Sequence, residues 1–562
     1  MDKNNIIGIT LIFLIFFAWS YINTDSPAQI AERERIQDSI ENVQLEAERL
    51  LSEQNQPANS STSSSTESDS MRQLRLASTH GDFAASAAGT ESFHVLENQF
   101  VKLKFSNKGG RIVEAEIKKY NKLYDDAEGV EQSTTVKLME DVQDRFDYEL
   151  PLKSGAKIST KDLYFTNQIN GNTITFRANA GGGYFEQKYS LSPDGYNVDY
   201  SISTTGLENI LNTGTGSIDL VWETMLDKIE KNTYYERIYS SVYYKETDDD
   251  TDYCSCSSSD EDVLKERVKW VSHSNQFFNA SLIADKSFNS GRVATVMLEE
   301  DEETENLKKL ETKLSVPLGG SNPSKFDMKW YIGPNEFDRL AAYDASLEDV
   351  IPYGWSFFGT INRWLIRPLF DFLSTFIGSA GIVILLLTFL VKLALYPLTY
   401  KMLHSQSKMA ALKPRIAEMK GKFGDDAQKQ QMETMKMYRE YGVNPLGGCF
   451  PIVLQMPIWF ALYRFFPASI DFRQAGFLWA DDLSSYDAFI QLGFELPFNM
   501  GAHISLFTVL WAVTTLIYTY YNSKHMDMSA NPAMKYMQYL MPIMFLGFFN
   551  SYASGLTCYL FF

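Results

Sequence analysis

The 562-residue chain is poor in the residue types that most often bind metals or carry redox chemistry. It has four cysteines and six histidines. Cys254 and Cys256 are too close in sequence for an unstrained disulfide and have no Cys or His partners at zinc spacing. Cys449 and Cys558 lie in apolar segments, which indicates packing residues. We therefore expect neither a metal site nor a cofactor.

The chain also lacks an excess of positive charge and a phosphate-binding glycine loop. Its 51 Lys and Arg are outnumbered by 70 Asp and Glu, which gives a net charge of −19 and disfavours a nucleic-acid-binding protein. Without a P-loop, a bound nucleotide is not expected to supply energy. His94 and His273 have no neighbouring nucleophile pattern, and the acidic runs are typical of solvated loops. No catalytic site is predicted, and we expect that the protein is not an enzyme.

Long apolar runs are present instead, and the first lies at the N-terminus. An apolar run from Ile6 to Ile22 follows Lys3 and is about long enough to cross a bilayer. A cleavable signal peptide is the alternative, but no small-x-small cleavage site follows the run. We expect an uncleaved anchor over residues 1–22 with its N-terminus in the cytoplasm. The following residues 23–90 include "PANSSTSSSTESDS" and are predicted to be a flexible tether.

Residues 91–345 change to a period of two, which is typical of β-strands. Apolar side chains alternate in "VKLKF", and "FEQKYSL" and "YNVDYSI" alternate on either side of the turn sequence "SPDG". Many such strands separated by Gly and Asn predict a large antiparallel β-sandwich. We expect this all-β domain to be exported.

Residues 350–562 are predicted to be a helical membrane core. Residues 357–376 have apolar positions at helical spacing beside a polar stripe of Arg363, Arg367 and Asp371, which indicates a helix in the membrane interface. The apolar runs predict spans at about 378–398, 446–466, 502–521 and 536–550, followed by a shorter run at 554–562. Because a crossing needs about 20 residues, we expect the last run to be the start of an incomplete span.

Charge sets the predicted orientation. Lys and Arg predominate over residues 400–441, which places this loop in the cytoplasm, whereas the acidic loop at 467–500 belongs outside. Helical apolar stripes on both sides of a turn near 421–426 predict a two-helix hairpin within 400–441. The stripes contain Met409, Leu412, Ile416 and Met419 in the first helix, and Met432 and Met435 in the second. They form either an adaptable surface for clients or the hairpin's own seam.

Lys392 is the unusual residue of the first core span, because it lies inside the apolar run "LLLTFLVKLALYPLT". Either its ammonium extends to the headgroups, or it faces a water-filled cavity open to the cytoplasm. We expect the cavity. Thr388 lies one turn away, and Gln455 lies in the next span, where Pro451 and Pro457 would loosen or kink the helix.

The runs "TFLVKLALYPLT", "LKPRIAEMKGKFGDD" and "GVNPLGGCFPIVLQMPIWFALY" resemble the YidC-type membrane protein insertase family, and "SGLTCYL" resembles the start of that family's last span. The resemblance implies a periplasmic supersandwich domain and five core helices around a hydrophilic groove that is closed to the outside. Lys392 then occupies a position that is usually arginine, and Thr388, Gln455 and Tyr559 line the groove. The residues expected to shape the helices are Pro397, Pro445, Gly447, Gly448, Pro451 and Pro457.

The resemblance implies insertion and chaperoning of membrane proteins at the bacterial inner membrane. Its expected partners are nascent membrane proteins and lipids, with a Sec-type translocase, the ribosome and signal-recognition machinery as further candidates. No direct contact with nucleic acid is expected. The alternatives are a solute transporter or a membrane sensor with an exported ligand-binding domain. The core shows no duplicated halves and no signalling enzyme follows it, which favours the insertase.

Overall fold

A computed structural model describes residues 69–562 except 126–130, 213–215, 299–305, 319–322, 344, 355, 424–425, 443–449, 493, 495, 497–500 and 524–531. The predicted anchor over residues 1–22 lies outside the described residues. Part of the predicted tether is folded, because helix α1 covers Asp69–His80 and Phe83 is buried in the main hydrophobic cluster. The prediction of a tether over all of residues 23–90 is therefore corrected at its C-terminal end.

Strands occupy most of residues 93–334. In chain order they are β1 (Phe93–Glu97), β2 (Val101–Ser106), β3 (Arg111–Asp125), β4 (Glu131–Leu138), β5 (Arg145–Pro151), β6 (Lys157–Ser159), β7 (Thr166–Asn170), β8 (Thr173–Ala180), β9 (Gly183–Leu191), β10 (Asn197–Thr205), β11 (Ser217–Asp227), β12 (Ser241–Glu246), β13 (Thr251–Tyr253), β14 (Asp260–Leu264), β15 (Val268–Ser274), β16 (Phe278–Phe288), β17 (Gly291–Met297), β18 (Asn306–Pro317) and β19 (Ser324–Pro334). The short pair β20 (Ile490–Gln491) and β21 (His503–Ile504) lies between membrane helices.

The strands form antiparallel sheets, as predicted for a large sandwich. One sheet runs β13-β12-β15-β16-β19-β10-β9-β8-β7, a second runs β14-β17-β18-β11-β5-β6, and a third runs β1-β2-β3-β4. The register of β9 against β10 pairs Leu191 with Val198 across the predicted turn. Tyr196, Val198, Tyr200 and Ile202 are all buried, as their alternation predicts.

Aromatic side chains join the sheets face to face. Trp222 of β11 packs edge-on against Trp330 of β19, with 4.9 Å between their ring centroids. Tyr148 of β5 and Tyr200 of β10 share a hydrogen bond of 2.7 Å between their hydroxyls. His273 stacks on Trp222 and bonds Thr224 and Thr312, and burial holds the pKa of its imidazole well below the usual value. This histidine therefore serves the core of the sandwich.

Helices make up most of the remaining described chain. They are α2 (Thr233–Tyr239), α3 (Phe337–Ala341), α4 (Ser356–Ile361), α5 (Arg367–Phe376), α6 (Ala380–Phe423), α7 (Ala427–Glu440), α8 (Phe450–Ala468), α9 (Leu506–Ser523), α10 (Pro532–Phe549) and α11 (Ser554–Phe561). A π-helical turn over Asn362–Ile366 joins α4 to α5. Among the described residues, α6 alone is long and apolar enough to cross a membrane, and Leu506–Tyr521 and Gln538–Phe549 are shorter apolar helices.

Helix α6 joins the first predicted span to the first hairpin helix without a break, and it passes through Pro397 and Pro414. The predicted hairpin then returns through α7, whose N-terminus is capped by Asp426 accepting from Lys429 N at 3.1 Å. The hairpin is thus a continuation of a membrane helix, so its position is tied to that of α6.

The α4–α5 segment separates its polar and apolar sides as the sequence predicts. Trp364, Phe372 and Phe376 are exposed. The polar stripe is paired within the protein, since Arg367 contacts Asp371 at 2.7 Å and Asp471 at 3.0 Å. This segment therefore presents apolar rings outward and fixes itself to the rest of the chain through Arg367.

Candidate functional site

The candidate site lies where α6, α8 and α11 come together. The long apolar run favours a helix, and Lys392 lies on that helix, α6. Its apolar neighbours Phe389 and Leu393 are exposed. The Lys392 side chain is exposed, and its Nζ donates to the backbone oxygen of Phe562 beside α11. No Asp or Glu of the described residues forms an ion pair with this ammonium, whose hydrogen bond is to the backbone oxygen of Phe562.

Thr388 lies one turn before Lys392 but differs from it in environment. Its side chain is buried, and its hydroxyl donates to Ile384 O of the same helix at 2.7 Å. A hydroxyl bonded back to its own helix has already satisfied its donor. The structure therefore places Thr388 against the packed interior, behind the exposed ammonium.

Gln455 and Tyr559 face each other from α8 and α11. The Gln455 side chain is exposed, and the Tyr559 ring is buried beside it. The Tyr559 hydroxyl has no hydrogen bond of ordinary geometry with any described residue. An unpaired buried hydroxyl costs about 1–3 kcal/mol, so this position favours water or a polar group of a bound molecule. Lys392, Gln455 and Tyr559 are thus the predicted polar groups that the structure leaves available.

The hairpin divides its predicted apolar residues into two groups. Leu412, Ile416 and Met419 are buried against one another, with Met409, Met437 and Tyr438 packed around them. Met432 and Met435 are exposed. Leu412, Ile416 and Met419 thus fill the hairpin's own seam, which was the alternative to client contact.

The residues predicted to shape the helices fall into three groups. Pro397 and Pro457 lie inside continuous helices, and Pro451 is in the first turn of α8. Each of these prolines lacks the N–H of an ordinary helix residue. Pro445, Gly447 and Gly448 lie outside the described residues.

Sequence reasoning missed the segment that covers the opposite end of the bundle, residues 469–487, which we term the capping segment. A Cβ on Gly381 would lie 2.0 Å from Cγ of Phe477, so glycine allows this segment to approach α6. Ser485 O accepts from Ser554 N at 2.6 Å and Leu483 O accepts from Gly555 N at 2.9 Å. These carbonyls satisfy the free N–H groups at the start of α11.

Asp487 ends the capping segment and holds the start of α9. Its carboxylate accepts from Leu506 N at 2.8 Å, Phe507 N at 3.1 Å and Trp479 Nε1 at 2.9 Å, and also from the Ser505 hydroxyl. A negative charge at a helix N-terminus is favourable because the first N–H groups lack partners within the helix. The sequence signal was an acidic residue followed, many residues later, by a Ser before an apolar helix, which is too common to find a contact of this kind.

His503 and Asn550 complete the closed end. Asn550 Nδ2 donates to His503 O at 2.7 Å, and Asn550 Oδ1 accepts from Ser505 N at 2.9 Å. The Tyr486 ring stacks on His503 with 3.8 Å between centroids. The helix ends on this side are therefore covered by side chains whose polar atoms bond one another.

The structure shows neither a metal centre nor paired cysteines among the residues it describes. No group of three or more His, Cys, Asp or Glu in the described part of the chain could hold an ion, and Cys254, Cys256 and Cys558 are unbridged. Lys308 lies near Cys256 and donates to the backbone oxygens of Ser240 and Cys256 at 2.7 and 2.8 Å. Burial lowers the pKa of Lys308 to about 8.

Comparisons with known proteins cover the whole chain. A family described as 60Kd inner membrane protein matches residues 372–562, and one described as YidC periplasmic domain matches residues 94–372. The membrane protein insertase YidC of Parabacteroides distasonis is 37% identical over 581 residues, covering 100% of this chain and 90% of that protein. The protein of the same name from Phocaeicola vulgatus is 36% identical over 576 residues, covering 100% and 89%.

A solved structure described as an active YidC insertase with its first transmembrane domain resolved covers 84% of this chain and 90% of its own. It is 18% identical with a TM-score of 0.32, so the family assignment rests on the sequence matches. Those matches define an inner membrane protein with a periplasmic β-domain and a helical core. The chain belongs to the YidC family of membrane protein insertases, and the matches give no support to a transporter or sensor.

Proposed function

We propose that clients enter the membrane along a groove between α6, α8 and α11, lined by Lys392, Gln455 and Tyr559. The exposed ammonium and the unpaired Tyr559 hydroxyl support this proposal, because both would be costly in dry hydrocarbon. Thr388 contributes to the wall behind Lys392 rather than to the polar surface. The groove needs no catalytic residue, because lowering the cost of moving polar segments is itself the activity.

The groove opens toward the cytoplasm in this proposal. The hairpin that continues α6 is rich in Lys and Arg, which favours the cytoplasmic side, and the acidic capping segment favours the periplasmic side. The N-terminus then lies in the cytoplasm and the core crosses the membrane several times. The division into anchor (1–22), tether (23–90), β-domain (91–345) and core (350–562) follows from the same pattern.

A positive charge near the cytoplasmic opening would attract acidic parts of an incoming client. Lys392 is suited to this role because its ammonium is a compact charge on a flexible stem. A polar segment that enters the groove leaves water gradually, while its apolar helix moves sideways into lipid. The free energy comes from burial of that apolar helix in the bilayer.

The hairpin is proposed to make the first contact with clients through Met432 and Met435. Both side chains are exposed on α7, and methionine adapts to apolar surfaces of varied shape. The basic character of the hairpin also suits a ribosome, and a Sec-type translocase and signal-recognition machinery are further proposed partners. Lipids surround the exposed rings of the core.

Lys392→Ala tests the groove directly. We expect about a tenfold loss in insertion of a single-span client with an acidic exported segment, and little change for a neutral client of equal hydrophobicity. Lys392→Arg should preserve both. Insertion is measured by protease protection of the client in vesicles.

Lys401→Ala is the matched control, since it removes the same charge from the same helix nine residues farther along, at the start of the hairpin. It should leave both clients unaffected. Equal insertion of both clients by Lys392→Ala and the unaltered chain would show that the ammonium only extends to the headgroups.

A further inference from the structure

The capping segment contacts the β-domain as well as the helices. Arg473 is its one basic residue in the sequence, and it forms an ion pair of 2.7 Å with Glu230 between β11 and α2. The side chains of Arg473 and Glu230 are only 2% and 8% exposed. Arg473 Nη2 also donates to Asn121 O at 2.7 Å, and the guanidinium lies 5.2 Å from the Phe278 ring centroid. The guanidinium group of Arg473 is thus surrounded by residues of the β-domain.

The β-domain holds Glu230 in a fixed position. The buried Glu236 carboxylate of α2 accepts from Ile229 N at 2.9 Å and from Glu230 N at 3.1 Å. Asn232 caps α2 by accepting from Tyr235 N at 3.1 Å. The loop that carries Glu230 is therefore tied to α2 before it meets Arg473.

Other hydrogen bonds and ring contacts also join the β-domain to the helical core. Gln474 Nε2 donates to Asn121 O at 2.9 Å, and Gln276 Nε2 donates to Pro467 O at 2.6 Å. The ring of Tyr235 on α2 meets that of Tyr552, with 6.2 Å between centroids. The β-domain thus contacts the capping segment and also Pro467 of α8 and Tyr552, which follows α10.

The capping segment also packs against the membrane helices. Phe472, next to Arg473, packs on Phe370 with 4.9 Å between centroids, and Phe477 rests on Gly381. Farther along, Asp487 holds the first turn of α9. A shift at Arg473 would therefore disturb the closed end of the bundle.

We propose that Glu230 and Arg473 are positioning residues through which the β-domain holds the capping segment over the helix bundle and closes that end of the groove. A buried ion pair is a poor source of net stability, but removing one partner leaves an uncompensated charge and is strongly unfavourable. The pair therefore ties the capping segment to one position against the β-domain. The closure of the groove rests on the proposed function, whereas the hold on the segment does not.

Hydrogen exchange of the full chain in lipid nanodiscs tests the hold. In Glu230→Gln and in Arg473→Met, amides of residues 477–487 and 505–508 should exchange at least about tenfold faster than in the unaltered chain. Amides of β10 and of α7 should exchange at unaltered rates, which shows that the sandwich and hairpin remain folded. Combining the two substitutions should recover part of the protection lost in Arg473→Met, because no charge is then left unpaired.

Asp327→Asn is the matched control, since it removes a carboxylate from an exposed pair with Lys325 in the same domain. It should leave exchange unchanged throughout.

A membrane-impermeant maleimide added from the periplasmic side then tests the closure. It should modify a cysteine placed at residue 455 faster in the Glu230→Gln chain than in the chain with Glu230, as read from the modified peptide.

Exchange at unaltered rates in both single variants would overturn the proposal. Where the Lys392 experiments show the groove, faster exchange of the capping segment without any gain in periplasmic labelling would overturn the closure of the groove by that segment. A groove that proved absent in the Lys392 experiments would remove the labelling arm only, and the exchange arm would still decide whether the β-domain holds the segment.

Discussion

The two ends of the helix bundle differ in the burial and hydrogen bonding of their charged and polar side chains. At the end under the β-domain, Asp487, His503 and Asn550 are buried and bonded to one another or to helix ends. Toward the hairpin, Lys392 is exposed, and the buried Tyr559 hydroxyl faces Gln455 without a hydrogen bond of ordinary geometry. The charged and amide side chains at the covered end are thus bonded within the protein, whereas the ammonium at the other end is exposed.

In the proposed function, this difference lets clients enter from one side. At the closed end, the carboxylate of Asp487 and the side chains of His503 and Asn550 already have hydrogen-bond partners within the protein. The open end offers a charge and unpaired polar groups within a largely apolar surface. In the proposed function, a polar segment enters the bundle from the hairpin side and is stopped by the capping segment.

The largest expected effect comes from a substitution that disrupts the closed end. Asp487→Ala should lower the free energy of unfolding by roughly 2–4 kcal/mol, because the first N–H groups of α9 and Trp479 Nε1 lose their acceptor. Thermal unfolding in detergent measures the change. Asp481→Ala, an exposed carboxylate of the same segment, is the control and should unfold like the unaltered chain. Equal midpoints for both variants would contradict the importance of this cap.

An effect of comparable size, but dependent on pH, concerns a buried carboxylate of the β-domain. Asp144 accepts from Met225 N at 2.7 Å, but its Oδ2 is buried without a partner, and burial raises the pKa of this carboxyl to about 7. The folded chain then keeps a proton that the unfolded chain releases. The contribution of Asp144 to stability is therefore highest below about pH 4 and falls by up to roughly 4 kcal/mol as the pH rises to about 7.

Asp144→Asn should remove that decline, since the amide cannot ionise while its oxygen still accepts from Met225 N. Tryptophan fluorescence during denaturant unfolding reports on the sandwich, because Trp222, Trp270 and Trp330 are buried in it. The same decline in Asp144→Asn as in the unaltered chain would assign the pH dependence to other groups. Asp327→Asn should keep it.

The smallest expected effect sharpens the description of the open end. Replacing both Met432 and Met435 with Ser should reduce crosslinking of an apolar client to α7 about two- to threefold, with unfolding unchanged, because both side chains are exposed. Ile416→Ala should instead destabilise the hairpin, since Ile416 is buried in its seam. Undiminished crosslinking by the double variant would place client contact elsewhere.

Patterns that repeat along the chain were predictable from the sequence. Alternation in "YNVDYSI" predicted which side chains β10 buries, and apolar runs predicted the core helices, because both depend on neighbours within a few residues. The isolated charge of Lys392 was equally visible. The continuity of α6 was not, because Pro397 and the change in composition after it suggested separate helices.

Contacts between distant residues could not be predicted in this way. Arg473 and Glu230 are 243 positions apart, and an Arg in an acidic loop is usually solvated. The close approach of Phe477 to Gly381 depends on how a loop crosses a helix, which no local pattern records. The closed end was therefore implied only by the family resemblance, and its residues came from the structure.

The most direct test of the one-sided groove is the reactivity of a cysteine at residue 392 toward a membrane-impermeant maleimide, measured in vesicles of each orientation. Leu393→Cys is the matched control, because residue 393 is an exposed apolar neighbour on the same helix. We predict that Lys392→Cys is modified from the hairpin side only, and that Leu393→Cys is unreactive from both sides. Modification of Lys392→Cys from the β-domain side, or no modification from either side, would contradict the account.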